Sequence, residues 1–349
     1  CVQDIKNPAR IAEFKQILKL AQKFTKEAYL PDIYMAGTMY ADEALEGIGG
    51  GIGNYMSYGD FRLDDTPFYE AAKLFPSGIV KNRDLSKVFE VDQTKITEDV
   101  THAWYEGKTN LHPYDGETKP NYTGFGKKED NIAYLDTQNK YTWIKSPLHD
   151  DERMEVGPLA RMIIGVAKGD ERISKYVTTF LKNGNLPIKV LFSTVGRTAA
   201  RAIETELMAD VMMEWVDELA LNVAHGDLST WTEFNFDNVS ANTQGYGMAE
   251  APRGGLGHWV KIKDGKVENY QAVVPSTWNA APRDYKGRLG AYESSLIGTK
   301  VANPDQPLEI LRTVHSFDPC IACAVHIIDT NGKELGVYKV DPIGGTSRA

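Results

Sequence analysis

The chain has 349 residues, more than one typical domain requires, and its net charge is −9, from 39 Lys and Arg against 48 Asp and Glu. This acidic balance lacks the electrostatic footprint of a nucleic-acid-binding protein, so we expect no nucleic-acid partner. With 42% hydrophobic residues the chain can bury a large core, and its three cysteines are too few for a disulfide framework.

The beginning of the sequence carries no secretory signal, and no apolar run approaches the ~18 residues of a transmembrane helix. Residue 1 is cysteine and not methionine. We therefore expect the sequence to be a fragment or a processed piece of a longer protein.

The first predicted element is a helix that begins with Asn7 as N-cap and Pro8 at its first position. Its apolar residues recur at helical spacing up to Pro31, which predicts an ordinary packed helix. These residues are Ile11, Phe14, Leu18, Ala21 and Phe24.

The glycine-rich stretch 47–53 resembles a phosphate-binding loop at first sight. Its glycines do not follow the G-x-G-x-x-G spacing, and no Gly-Lys-Ser/Thr follows. We predict a tightly turned or flexible loop, because glycine is the residue that readily adopts positive φ.

Residues 107–150 are rich in Gly, Pro, Asn, Asp and Thr, which predicts long irregular structure. His102, His112 and His149 lie in or near this segment. None has a partner at metal-site spacing, so we expect hydrogen-bonded or surface histidines.

Helical periodicity returns after Val156, with predicted helices at 157–168, 170–183 and 194–224 and a stop at Gly226. The longest helix carries an apolar stripe of Ile203, Leu207, Val211, Trp215 and Leu219. We interpret its methionines, Met208, Met212 and Met213, as core filling.

A β section follows, in which 258–262 and 267–274 flank Asp264-Gly265, a strong signal for a two-residue hairpin. The motifs 250–255 and 274–279 lie on either side of this hairpin. Because a hairpin carries its two ends to the same edge, we expect these motifs to converge.

A short helix at 308–315 leads to Cys320-x-x-Cys323, which His326 follows, and a second hairpin is predicted around Asn331-Gly332. We expect a loop-to-helix turn to place both sulfurs on one side, where thiolates suit nickel, copper(I), zinc or iron clusters. A structural zinc site needs four ligands, and a thioredoxin-like pair belongs early in a βαβ unit. Haem attachment requires histidine where Ala324 stands.

The segment from Ser316 to His326 resembles the C-terminal motif of the large subunit of nickel–iron hydrogenases. Further segments resemble the family in the same order along nearly the whole chain: Asn54–Gly59, Val156–Arg161, Glu250–Gly254 and Tyr270–Asn279. The resemblance implies a helix-rich α+β fold with a core of long helices and small β-hairpin elements.

The family's cofactor is a nickel held by four cysteines and an iron that carries carbonyl and cyanide ligands. The resemblance implies that Cys320 is a terminal nickel ligand and that Cys323 bridges nickel and iron. It also places Pro252 and Arg253 beside the cyanides, with the Arg253 guanidinium over the open coordination face and Asp318 as its partner.

The resemblance assigns three further residues. Ser276 would donate its hydroxyl to a cyanide, and His326 together with the backbone carbonyl of Ala272 would help to bind magnesium.

The sequence departs from the family pattern at its N-terminal side. The family's other two cysteine ligands, in an Arg-x-Cys-Gly-x-Cys motif, and two functional glutamates do not occur here, and Cys1 has no partner at the right spacing. We therefore expect a C-terminal portion of a large subunit that binds no active cofactor by itself.

The resemblance also divides the chain. Residues 1–326 correspond to the large-subunit domain, and 327–349 correspond to an extension that a dedicated maturation protease removes after His326 once nickel-insertion factors have acted. If the extension remains, it is expected to keep the cysteine loop displaced.

The implied activity is that of a membrane-bound uptake hydrogenase, which splits hydrogen heterolytically into a proton and a hydride. Electrons would pass to an iron–sulfur small subunit, because this chain lacks the cysteines for such clusters, and then to a membrane cytochrome b. The pair would be exported to the periplasmic side of the membrane on the small subunit's signal. A hydrogen sensor with little turnover is the alternative, and a non-catalytic relative in respiratory complex I is disfavoured by the cysteine pair.

Overall fold

The structure is a computed structural model that describes residues 4–67, 69–127, 133–134, 136–231, 233, 235, 239–320, 324–328, 334–341 and 345–348. Its α-helices are α1 Pro8–Phe24, α2 Leu30–Met39, α3 Ala41–Glu46, α4 Pro158–Ala167, α5 Glu171–Asn183, α6 Thr194–Ala224, α7 Pro275–Asn279, α8 Ala291–Leu296 and α9 Leu308–His315. A π-helical turn, Thr25–Tyr29, joins α1 to α2, and two short 3₁₀ helices span Gln93–Lys95 and Ile188–Leu191.

The strands are short in the first half of the chain and longer in the second. They are β1 Tyr55–Ser57, β2 Asp60–Arg62, β3 Lys73–Phe75, β4 Gly78–Val80, β5 Ile96–Asp99, β6 Tyr105–Glu106, β7 Lys119–Pro120, β8 Gly126–Lys127, β9 Ala133–Tyr134, β10 Ser146–His149, β11 Thr243–Ala251, β12 Gly254–Lys263, β13 Lys266–Val273, β14 Ala324–Ile328, β15 Glu334–Asp341 and β16 Gly345–Arg348.

All pairings between these strands are antiparallel. Two three-stranded meanders, β11–β12–β13 and β14–β15–β16, stand beside the two-stranded pairs β1–β4, β2–β3, β5–β10, β6–β7 and β8–β9. Short antiparallel pieces distributed around helices give the helix-rich α+β architecture that the sequence predicted.

The main core lies around α6, which packs against α1, α4 and α5. Ile163, Ile173, Leu207 and Val211 are among its completely or almost completely buried members. A second core, which includes Met56, Ile79, Trp259 and Trp278, lies beneath the β11–β13 sheet. The segment at the start of α4 contributes to both, since Val156 belongs to the second core and Leu159 to the first.

The predicted helices at 157–168, 170–183 and 194–224 are confirmed as α4, α5 and α6. Asp170 caps α5 by accepting a hydrogen bond from the Ile173 amide, and Ser193 caps α6 by accepting one from the Gly196 amide. After α6 the chain turns at Gly226, whose φ of +85° is the left-handed conformation that the predicted stop requires. The helix at Leu308–His315 is confirmed as α9.

Two expectations about helices were wrong in part. The first helix does not end at Pro31: α1 ends at Phe24, the helical path continues through the π-helical turn, and Pro31 lies in the first turn of α2. Its stripe is not fully packed either: Leu18 is buried, whereas Phe14 and Phe24 are exposed. Met212, interpreted as core filling, is also exposed.

The loop predictions are confirmed. Residues 47–53 form tight turns with positive φ at Gly47, Gly49, Gly51 and Gly53. His102 and His112 contact the backbone carbonyls of Asn139 and Gln93, and His149 accepts a hydrogen bond from the Asp92 amide. No described helix is both long and apolar enough to span a bilayer.

The first predicted hairpin is confirmed as β12–β13, and both Asp264 and Gly265 have the positive φ of a two-residue turn. The second is confirmed as β14–β15, although its turn lies outside the described residues. The loop-to-helix turn expected at the cysteine pair falls on 321–323, outside the described residues, and 324–328 form β14.

Leu207 provides a test of the core around α6. Its side chain is 0% exposed, so Leu207→Ala should lower the free energy of unfolding by about 2–5 kcal/mol through lost burial and a cavity. Urea titration followed by tryptophan fluorescence measures this change. Leu221→Ala on the same helix is the matched control, because Leu221 is 60% exposed, and equal losses in the two variants would contradict the packing described here.

Candidate functional site

The turn between β11 and β12 places Pro252 and Arg253 at the start of α4. Ala251 pairs with Gly254 across this turn, and Gly254 has φ +133°. A Cβ at Gly254 would lie 2.5 Å from Val156 Cγ2, and one at Gly157 would lie 3.0 Å from the Arg253 carbonyl oxygen. The two glycines therefore let the backbones of the turn and of the α4 N-cap touch directly.

Asn279, the last residue of α7, joins this helix to Val156, next to the N-cap of α4. Its side-chain Oδ1 accepts from the Val156 amide at 3.1 Å, and its Nδ2 donates to the Val156 carbonyl at 2.9 Å. In the first turn of α7, Ser276 Oγ accepts a hydrogen bond from the Cys320 amide at 3.2 Å. The motifs 250–255 and 274–279 thus meet, as predicted, with the chain around Cys320 between them.

Arg253 and Asp318 form an ion pair at this junction. Arg253 Nε lies 3.2 Å from Asp318 Oδ2 and donates to the Asp318 carbonyl oxygen at 2.8 Å, while Nη2 lies 3.3 Å from Oδ1. The two side chains are 35% and 42% exposed, so the pair lies at a surface and not in the core. Asp318 has φ +54°, a conformation that aspartate tolerates better than most residues, and the bonds from Arg253 hold it there.

Four of the predicted site residues therefore lie together: Arg253, Asp318, Ser276 and Cys320, with Pro252 adjacent in the chain. Ala272 lies one residue before the end of β13, opposite His258 in the sheet register. Cys323 lies outside the described residues. His326 is placed by its backbone alone, in β14 opposite Val337.

Sequence reasoning missed Arg161, which is completely buried beneath the Pro252-Arg253 turn. Its guanidinium donates two hydrogen bonds to Glu204, at 2.7 and 2.6 Å, and one to Glu250 at 2.7 Å. Burial opposes a charge here, but the two carboxylates outweigh it and raise the pKa of Arg161 above its usual value. The remaining N–H groups donate to the carbonyls of Ala251 and Pro252, at 3.0 and 2.8 Å.

A second missed arginine, Arg197, supports the other side of the site. It pairs with buried Glu155 at 2.6 and 2.9 Å and donates to the Gly49 carbonyl in the glycine-rich loop. Its guanidinium carbon lies 3.9 Å from the ring centroid of Phe317, the residue before Asp318. The glycine-rich loop is therefore tied to the site through the side chain of Arg197.

A sequence signal for these residues exists in α6. Arg197, Arg201 and Glu204 follow one another at i, i+4 and i+7, so they share one face of the predicted helix. In a helix at the centre of a core, charged residues next to the apolar stripe are also buried and therefore need partners of opposite charge. Because α6 is such a helix, these three charges indicate buried ion pairs.

The donors that are described fit part of a thiolate metal site. Cys320 is a free, exposed cysteine, with the hydroxyl of Ser276 and the cation of Arg253 in the same junction. Within the part of the chain that the structure describes, no three His, Cys, Asp or Glu side chains cluster as a metal ion would need. The described residues thus supply one soft ligand and a polar rim.

Comparison with known proteins gives a consistent result. The model of the nickel-dependent hydrogenase family matches residues 1–326. The quinone-reactive Ni/Fe-hydrogenase large chain of Wolinella succinogenes is 44% identical over 98% of this chain. The uptake hydrogenase large subunit of Rhodobacter capsulatus is 42% identical over 96% of this chain.

A solved structure of the [NiFeSe]-hydrogenase of Desulfomicrobium baculatum superposes with a TM-score of 0.72 at 33% identity, over 91% of this chain and 60% of that chain. The chain also covers 60% of the Wolinella protein and 58% of the Rhodobacter protein. It therefore spans less than two thirds of the length of these relatives.

The Glu155–Arg197 pair gives a test of how the site is supported. Glu155→Gln should lower the free energy of unfolding by about 3 kcal/mol, because it leaves the buried Arg197 without its countercharge. Urea titration measures this loss. The control is Glu214→Gln, which removes the carboxylate of the exposed Arg172–Glu214 pair and should cost less than about 1 kcal/mol. A loss in Glu155→Gln no larger than in the control would contradict the supporting role of Arg197.

Proposed function

We propose, because the chain belongs to the nickel-dependent hydrogenase family, that it carries the C-terminal half of a catalytic site for the heterolytic cleavage of hydrogen. One observation supports this most directly. The segments that carry Arg253, Ser276 and Cys320 are far apart in sequence and meet at one junction. If Arg253 and Asp318 were an ordinary surface ion pair and the Ser276 segment an ordinary loop, there would be no reason for a hydroxyl, a guanidinium and a free thiol to converge.

Membership of the family supports nickel and iron as the metals. In the proposed site, the thiolates of Cys320 and Cys323 would hold nickel, and Cys323 would also be a ligand of an iron that carries carbonyl and cyanide. Thiolates are soft donors that suit these metals. When bound, the centre supplies the position at which hydrogen is polarised and split.

The chain's own residues then orient charge around that position. Arginine stays protonated at any working pH, so Arg253 places a permanent positive charge at the junction that also holds Cys320. Asp318 holds the guanidinium through two carboxylate contacts and its carbonyl, which keeps the cation in one orientation.

The remaining assignments complete the proposal. Ser276 accepts a hydrogen bond from the Cys320 amide, and its hydroxyl would donate to a cyanide of the bound cofactor. Pro252 would line the cyanide side, and His326 with the Ala272 carbonyl would bind magnesium. These groups bind and orient the cofactor and take no electrons.

The partners and processing of the protein are proposed from the same family. An iron–sulfur small subunit receives the electrons and passes them to a membrane cytochrome b. The signal of the small subunit directs the export of both subunits to the periplasmic side of the membrane. Nickel-insertion factors load the site, and a maturation protease then removes residues 327–349 after His326.

Nickel content tests the ligand assignment. In the holoenzyme, Cys323→Ser should abolish nickel retention, because a hydroxyl is a poor donor for this soft site. Elemental analysis of the purified protein measures the metal. Cys1→Ser is the matched control and should retain nickel at the level of the unchanged protein. Full nickel in Cys323→Ser would remove Cys323 from the ligand set.

Turnover tests the role of Arg253. In the holoenzyme, Arg253→Lys should keep the metals but lower the rate of hydrogen oxidation about a hundredfold, because a single ammonium cannot reproduce the fixed, forked geometry. Hydrogen-dependent reduction of a dye measures the rate. Arg10→Lys, at an exposed ion pair, is the control. Unimpaired turnover in Arg253→Lys would remove Arg253 from the mechanism, and nickel retention with negligible turnover in the unchanged protein would favour a sensor.

A further inference from the structure

One turn of α6 contacts both segments that carry the Arg253–Asp318 pair. Arg201 and Glu204 are three residues apart and therefore lie on the same face of the helix. Arg201 reaches the segment before Cys320, and Glu204 reaches Arg161 beneath the Pro252-Arg253 turn. Neither residue contacts Arg253 through a hydrogen bond of its own.

The first arm runs through Arg161. Glu204 binds the guanidinium with both carboxylate oxygens, which fixes the plane of the group. The N–H groups that remain point at the carbonyls of Ala251 and Pro252, the two peptide units immediately before Arg253. The orientation of Arg161 therefore constrains the backbone position of the Pro252-Arg253 turn.

The second arm is Arg201 itself. Its Nη2 donates to the Ser316 carbonyl at 2.9 Å, two residues before Asp318. Burial lowers the pKa of Arg201, while the carboxylate of Asp318 acts against that change. Arg201, Glu204, Pro252 and Asp318 line one cavity of about 550 Å³, so the two arms border a common space.

We propose that the Arg201–Glu204 turn of α6 is a positioning element that sets the geometry of the Arg253–Asp318 pair. This inference rests on the proposed function, since it concerns the residues that surround the cofactor. Arg201, Glu204 and Arg161 act through backbone carbonyls and touch no reacting atom.

The energetics of buried ion pairs favour this role over a purely stabilising one. Replacing a buried pair by well-packed apolar side chains is often neutral for stability, so such a pair is weak grounds for a stability function. Hydrogen bonds from a charged donor to a carbonyl are short and directional, which suits them to fixing a turn. The turn needs fixing, because the side chains of Arg253 and Asp318 are both partly exposed and therefore lie outside the packed core.

Hydrogen–deuterium exchange read by mass spectrometry tests the proposal without any metal or turnover. Arg201→Met removes the donor to Ser316 at similar volume and should speed amide exchange in 316–320 about tenfold, the effect of losing one bond to a charged group. Glu204→Gln weakens the ion pair that orients Arg161 and should likewise speed amide exchange about tenfold in 250–256. Exchange within the β5–β10 pair, which contains neither residue nor Arg161, should stay unchanged in both variants.

Matched variants separate positioning from general destabilisation. Arg201→Lys keeps the charge and one donor, and it should restore much of the protection in 316–320. Arg172→Met removes an exposed arginine that pairs with the same helix at Glu214, and it should change exchange in neither segment. Unchanged exchange in 316–320 for Arg201→Met, or an equal increase throughout the chain, would overturn the proposal.

A double-mutant cycle in the holoenzyme connects the positioning element to Arg253. If Glu204 acts through Arg253, the loss of hydrogen oxidation in Glu204→Gln combined with Arg253→Lys should be smaller than the product of the two single losses. Fully multiplicative losses would overturn the connection. Because exchange is measured independently of turnover, failure of the proposed function would leave the exchange result standing, and the two failures are distinguishable.

Discussion

The site depends on a buried charge, the guanidinium of Arg161 between Glu204 and Glu250. Three elements meet at this group: Arg161 belongs to α4, Glu204 to α6 and Glu250 to β11. A buried cation is tolerated because each of its N–H groups has an acceptor, and a half-satisfied arginine in this place would be strongly destabilising. The need to satisfy Arg161 therefore fixes the positions of the helix core and the β meander relative to each other.

The functional residues themselves lie at the edge of this arrangement. Arg253 and Asp318 are partly exposed, and Cys320 is exposed, whereas the residues behind them are buried. Under the proposed function this division separates two requirements, since groups at the rim must remain accessible to a cofactor and a substrate while the groups behind them must not move. Rigid helices supporting a reactive rim meet both requirements.

The sequence predicted the elements well where one periodicity prevailed. The stripe Ile203, Leu207, Val211 indicated α6, and Asp264-Gly265 indicated the β12–β13 hairpin. Strand β11 was missed because its first half, from Thr243 to Gly247, is exposed and shows no alternation. The convergence of Arg253, Ser276 and Asp318 followed from hairpin geometry and family resemblance. The buried arginines behind them did not. The spacing of Arg197, Arg201 and Glu204 places three charges on one face of α6, but the partners of Arg161 come from two other elements, and local sequence does not identify them.

The π-helical turn Thr25–Tyr29 has a consequence for comparing this protein with relatives of different length. A π turn holds one residue more than an α turn, so deleting a single residue there would restore a regular helix. Because a π turn takes up its extra residue within a single turn, the faces of α1 and α2 would keep about the same relative orientation. Gln22 on α1 donates to Asp210 on α6, and a relative without the extra residue would keep this contact within reach. A gap aligned within 25–29 therefore indicates the loss of the π turn and not a changed helix face, so alignments of homologues can place it there while Gln22 and Asp210 remain matched.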